Sequence, residues 1–171
     1  MEKIFVINLD SATDRWSHYK DDKRYTRWSA TTEGDYVSVT DPIFEKMISY
    51  HNISPNEHKA KCFCYLSHTR LWQYIVTNKL NNVLILEDDA FLVNDIPDPK
   101  DLPTDGFTYL GGFTSHTRLT DGPKKIDFKE GINEIDNTKF RMLMCLAIFI
   151  PTWQVAYKMI QASTYNGRCR A

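Results

Sequence analysis

Apolar residues in this chain come in short runs separated by polar or turn-forming residues. Ile4-Phe5-Val6-Ile7, within Lys3 to Leu9, is a β-branched and aromatic run with the length of a buried strand. Asp10 to Asp14 is the turn after it, and the Ser11–Asp14 spacing, similar to a capping box, predicts a helix from about Thr13. Arg24 to Ala30 predicts a second strand, with a loop from Thr31 to Asp35. Asp41-Pro42 predicts a helix to about His51, and Ser54-Pro55-Asn56 breaks it. From about Glu57 to Thr77 the period is helical, with Tyr65, Thr69, Trp72 and Val76 on one face. Val83-Leu84-Ile85-Leu86 is a continuous apolar strand that runs directly into Glu87-Asp88-Asp89.

Asp95 to Asp105 carries Pro and Asp and predicts a surface loop. Phe107 to Leu110 predicts a short strand ending at Gly111-Gly112. Thr114 to Lys139 is polar and weakly patterned, and reads as a flap. Met142 to Ile150 predicts a buried strand, and Thr152 to Ala162 a helix after Pro151. Strands alternating with helices predict an α/β sheet with helices on both faces. Ligands of such sheets gather at the carboxyl ends of strands. Asn8-Leu9-Asp10, Glu87-Asp88-Asp89 and Gly111-Gly112 are the tips expected there.

Length changes the picture little: 171 residues predict a single domain over residues 1–171 with one real core. Net charge is −1, which supplies no general attraction to nucleic acid or to an anionic membrane. The first apolar run is too short for a signal-peptide core. The longest, Met142 to Ile150, is far below a membrane span. A cytoplasmic protein without a transmembrane segment is the expectation. Cys62, Cys64, Cys145 and Cys169 have neither zinc-ribbon nor redox-pair spacing and read as reduced thiols.

The acidic tip carries the candidate chemistry. Two like charges 4 Å apart repel by about 1 kcal/mol in water and about 4 kcal/mol at an effective dielectric near 20. A cation relieves that crowding, and Mg²⁺ or Mn²⁺ prefers carboxylate oxygens and bridges to phosphates. Capping or simple solvent exposure of the same acids is the competing reading.

Several segments in order resemble one family. Ile7-Asn8-Leu9-Asp10 with Asp14-Arg15, then Cys64-Tyr65-Leu66-Ser67-His68 with Leu71-Trp72, then Leu84-Ile85-Leu86-Glu87-Asp88-Asp89-Ala90, and finally Tyr109-Leu110-Gly111 are similar to motifs of the family 25 glycosyltransferases. These are the lipopolysaccharide-biosynthesis and collagen-galactosyltransferase group. Arg27-Trp28-Ser29-Ala30 resembles the family's second-strand end more loosely. Lys61-Cys62-Phe63-Cys64 departs from the pattern in being less glycine-rich, and the chain stops soon after its last helix.

The resemblance implies a GT-A type fold, with a Rossmann-like mixed sheet flanked by helices. It implies metal-dependent, inverting transfer of a hexose, galactose or glucose, from a nucleotide sugar such as a UDP-hexose. The acceptor would be a glycan or a lipopolysaccharide-like molecule, and the cofactor Mn²⁺ or Mg²⁺. Carried over by position, Asp89 and Glu87 would hold the metal. Asn8, Leu9, Arg15, Ser67, Glu87 and Asp88 would line the donor site, and Asp88 and His68 would be catalytic. Asp105, Asp121 and Asp136 are unranked candidates for the inverting base, which takes a proton from the acceptor hydroxyl. His116 could approach from a neighbouring tip, and Lys124-Lys125 reads as a solvated pair. A catalytically degenerate nucleotide- or glycan-binding domain is the alternative. A phosphotransferase or nuclease lacks both a Gly-Lys-Ser/Thr loop and a basic patch.

Overall fold

A computed structural model describes residues 1–32, 55–92, 94–116 and 140–165. The helix expected near 42–51, most of the 114–139 flap, and Asp121, Lys124, Lys125 and Asp136 lie outside the described residues. The elements are β1 (Lys3–Asn8), α1 (Thr13–Trp16), β2 (Tyr25–Ser29), α2 (Pro55–Thr77), β3 (Val83–Glu87), β4 (Thr108–His116), β5 (Phe140–Ile150) and α3 (Trp153–Tyr165). They build a five-stranded mixed sheet in the order β2-β1-β3-β5-β4. β1 pairs in parallel with β2 and with β3, whereas β5 runs antiparallel to both β3 and β4. The carboxyl ends of β1, β2, β3 and β4 therefore share one edge.

Alternation along the strands sorts the core into two layers. Phe5, Ile7, Val83, Ile85, Ile148 and Ile150 pack against Leu71, Trp72 and Ile75 of α2 and Val155 and Ala156 of α3. Ile4, Val6, Leu84, Leu86 and Ala147 face the other way, onto Tyr19 and Ala90. The helices expected on both faces are distributed unevenly. Among the described residues the two long ones, α2 and α3, pack together on the first face. The second face meets Trp16 of the single-turn α1, Tyr19 and the chain after β3. It retains a cavity of about 300 Å³, bordered by Leu84, Leu86, Ile96, Leu110 and Ala147.

Three local expectations shift. The long helix expected from about Glu57 begins two residues earlier, at Pro55, whose missing N–H is harmless in a first turn. The side of α2 facing the sheet is Leu71, Trp72 and Ile75, rotated from the Tyr65-Thr69-Trp72-Val76 stripe, while Tyr65, Thr69 and Val76 stay half-buried. Gly111-Gly112 does not end β4. The ladder with β5 continues to His116 opposite Phe140, with register shifts at Tyr109/Gly111, Gly111/Gly112 and Phe113/Thr114. Glycines here mark irregular pairing rather than a stop. Gly111 pairs with Ala147, which pairs with Leu86, so β4 and β5 run past the end of β3 as a two-stranded ribbon.

Candidate functional site

The site lies where β1 and β3 end side by side. β3 stops because Glu87 to Ala90 closes a turn, the Ala90 N–H donating to the Glu87 carbonyl at 3.0 Å. Tyr19 supports this turn from below by donating its hydroxyl to the Ala90 carbonyl. The strand end and the turn after it divide the acidic tip. Glu87 faces α2, Asp88 turns toward Asn8 and α1, and Asp89 is left exposed.

On the Asp88 side every group is engaged. Asp88 is buried; its Oδ1 lies 3.0 Å from an Arg15 guanidinium nitrogen and its Oδ2 accepts from Asn8 Nδ2 at 2.7 Å. Asn8, 1% exposed, also donates from Nδ2 to the Ala12 carbonyl at 3.0 Å. Its Oδ1 accepts from Arg27 Nε at 2.8 Å. Arg27 goes on to donate to the Leu9 carbonyl at 3.1 Å and pairs with Asp10 at 3.5 Å. Asp10 in turn accepts from Ser29 Oγ at 2.7 Å. The network crosses from β3 through β1 to β2. An amide suits its centre because Asn8 must donate to a carboxylate and accept from a guanidinium at once. Arg15 and Arg27 keep 40% and 30% of their side chains exposed. Leu9 is an exposed apolar residue beside them.

The Glu87 side is looser. His68 Nε2 lies 3.3 Å from Glu87 Oε1, and Cys64 Sγ lies 3.6 Å from the same oxygen. Cys64 and His68 are one helical turn apart on α2, which puts them on one face. His68 is buried against Trp72, and its Nδ1 has no hydrogen-bond partner among the described residues. Cys64 is exposed as a residue, yet desolvation of its sulfur, followed by the Glu87 carboxylate, pushes the thiol up to about 12. It stays protonated at neutral pH.

Ser67 is fully buried. Its hydroxyl donates to the Phe63 carbonyl at 2.7 Å and accepts from the Thr31 N–H at 2.8 Å. Arg70 reinforces the contact by donating to Thr31 Oγ1 at 2.9 Å. The side chain thus ties the chain leaving β2 to α2. Asp105 is exposed on the loop before β4. The structure brings Asn8, Leu9, Arg15, Glu87, Asp88, Asp89 and His68 to one edge. It adds Arg27, Asp10, Ser29 and Cys64, which lie within the family-like segments but whose contacts here depend on strand register and side-chain reach.

The model of glycosyltransferase family 25 (LPS biosynthesis protein) matches residues 1–104, more than half of the chain. No curated protein matches it. The chain belongs to glycosyltransferase family 25, and its α/β architecture with a mixed sheet is consistent with a glycosyltransferase fold. Membership implies a sugar donor and an acceptor. Among the described residues, no helix is long and apolar enough to cross a membrane.

Proposed function

We propose that the protein transfers a hexose, galactose or glucose, from a UDP-type nucleotide sugar to a hydroxyl group of a glycan or lipopolysaccharide-like acceptor, with inversion, on a GT-A type fold. The observation that carries this reading is the exposed Asp89 carboxylate at the same sheet edge as two half-exposed guanidinium groups, Arg15 and Arg27. Negative and positive groups at one edge suit a ligand that combines a divalent cation with a diphosphate.

The donor set fits Mn²⁺ or Mg²⁺, since hard ions take carboxylate oxygens. Asp89 would be the first ligand. Glu87 would offer Oε2, because its Oε1 faces His68 and Cys64. When bound, such an ion offsets charge on the diphosphate leaving group.

The chain's own residues divide the remaining work. Asn8 and the exposed Leu9 form the floor for the nucleotide. Arg15 and Arg27 have N–H groups left over for phosphate oxygens. Asp88 is committed to Arg15 and Asn8, which favours aiming Arg15 over accepting a substrate proton. Ser67 is likewise a positioning residue, holding α2 against Thr31. His68, next to Glu87, is the group we assign to proton acceptance from the acceptor hydroxyl.

The test is donor turnover across a panel of UDP-hexoses with Mn²⁺ or Mg²⁺. Transfer or hydrolysis that EDTA abolishes is the expected result. UDP binding by calorimetry without turnover of any donor would instead assign a binding domain of the same fold.

A further inference from the structure

Cys64, His68 and Glu87 each present one ligand atom, and these atoms all lie within 4.8 Å of one another. The chemistry differs from that of the Asp89 tip, because one ligand is a thiol. Thiolate and imidazole select zinc-like ions, whereas Mg²⁺ and Mn²⁺ favour oxygen. The spacing is informative as well. Zinc bonds of about 2.0–2.1 Å to nitrogen, 2.0–2.2 Å to oxygen and 2.3 Å to sulfur fix the edges of a tetrahedron. Nitrogen and oxygen ligands then stand about 3.4 Å apart, and sulfur and oxygen ligands about 3.6 Å apart. The observed separations are 3.3 Å for His68 Nε2 to Glu87 Oε1 and 3.6 Å for Cys64 Sγ to Glu87 Oε1. As hydrogen bonds these contacts are poor: the first exceeds the usual N–H···O range of about 2.7–3.2 Å, and a thiol is a weak donor.

We propose that Cys64, His68 and Glu87 form a binding site for a thiophilic divalent cation, Zn²⁺ above all, separate from the Asp89 carboxylate. Binding forms Zn–S, Zn–N and Zn–O bonds and releases the Cys64 proton to solvent, and a water takes the fourth position. Cys64 is exposed, so an ion can enter from outside. Glu87 also serves the transfer reading, so zinc here would draw its carboxylate away from the second metal and from His68. Zinc would thereby inhibit transfer.

Co²⁺ reports on such a site, because thiolate ligation adds a sulfur-to-cobalt charge-transfer band. The metal-free protein should bind one Co²⁺ with that band, and one equivalent of Zn²⁺ should remove it. Cys64→Ser should abolish the band and weaken zinc binding by roughly a hundredfold or more, since even outer-shell changes cost up to about that. Glu87→Gln should weaken binding too, whereas Asp89→Asn should leave the band intact. Circular dichroism confirms that each variant is folded. Absence of the band at saturating Co²⁺ would overturn the proposal. So would a band that survives Cys64→Ser, or one that vanishes in Asp89→Asn. These readouts need no donor sugar, so a failure of the transfer reading leaves them unaffected, and their failure leaves transfer to be judged by turnover.

Discussion

The two sides of the acidic tip differ in how much of their polar capacity is already used. Around Asp88, one carboxylate, one amide and two guanidinium groups satisfy one another at 2.7–3.0 Å across three strands. Around Glu87, a thiol and an imidazole share one oxygen at 3.6 and 3.3 Å, and a buried imidazole nitrogen has no described partner. Satisfied networks hold shape, whereas incompletely satisfied ones keep binding capacity for something else. Glu87, Asp88 and Asp89 are adjacent in sequence, yet the strand end and the turn that follows it assign them unlike work. Asp88 belongs to the scaffold, Glu87 to a loose cluster, and Asp89 to solvent.

The largest expected effect follows from that division. Asp89→Ala should reduce sugar transfer by at least about a hundredfold, the scale seen when one charge-stabilising group is lost. Its melting temperature should be nearly unchanged, because exposed substitutions away from special features stay within about 0.5 kcal/mol. Parallel turnover and melting measurements check it. Full turnover in this variant would remove Asp89 from the mechanism.

Asn8→Leu should do the reverse, with stability falling first. It would leave the Asp88 carboxylate with Arg15 alone and take away the acceptor of Arg27 Nε. Stranding buried polar groups costs about 1–3 kcal/mol, and more where they are charged. A loss of about 3 kcal/mol in urea unfolding is the expected outcome. A double-mutant cycle with Arg27→Ala should show coupling of about 1 kcal/mol, since the pair is in direct contact. Additive losses would mean the hydrogen bond between them contributes nothing.

Much of the frame was legible in the residues. β1 and β3 carry unbroken apolar runs, and these runs place their polar tips at strand ends. The buried side of α2 was not legible. Ser67 and His68 are polar yet buried, so a hydrophobic period counts them as outside and turns the helix toward Tyr65 and Val76. The contact between Arg27 and Asn8 was not legible for another reason. Asn8 lies on the neighbouring strand, two pairs along from Val6, the residue opposite Arg27, and that register is set by packing rather than by local pattern. The glycines of β4 misled because the backbone ladder, which needs no side chain, continues through them.

Glu87→Gln should separate function from stability on the loose side. The side chain is 25% exposed and its contacts are long, so unfolding free energy should move by less than about 1 kcal/mol. On the proposed mechanism transfer should fall by about tenfold or more, because the carboxylate assigned to the cation and paired with His68 loses its charge. A stability loss matching that of Asn8→Leu would erase the distinction between the two sides.

The smallest effect concerns the prop beneath the turn. Burial, then the charges of Tyr25, Asp88 and Asp89, raise the Tyr19 hydroxyl from an ordinary value of 10.0 to about 12. The folded state therefore favours the neutral phenol that donates to the Ala90 carbonyl. Below pH 10 both folded and unfolded chains hold this proton, and the contribution to stability is complete. Between pH 10 and about 12 the unfolded chain releases it first, so stability declines as pH rises. Tyr19→Phe should cost about 1 kcal/mol at neutral pH, the typical net value of one hydrogen bond. Above pH 10 its stability should fall less steeply than that of the unaltered protein. Urea midpoints measured from pH 8 to 12 would show the two curves converging. If they stay parallel, Tyr19 ionises as freely in the folded chain as in the unfolded one, and the Glu87–Ala90 turn is held by its backbone bond without this prop.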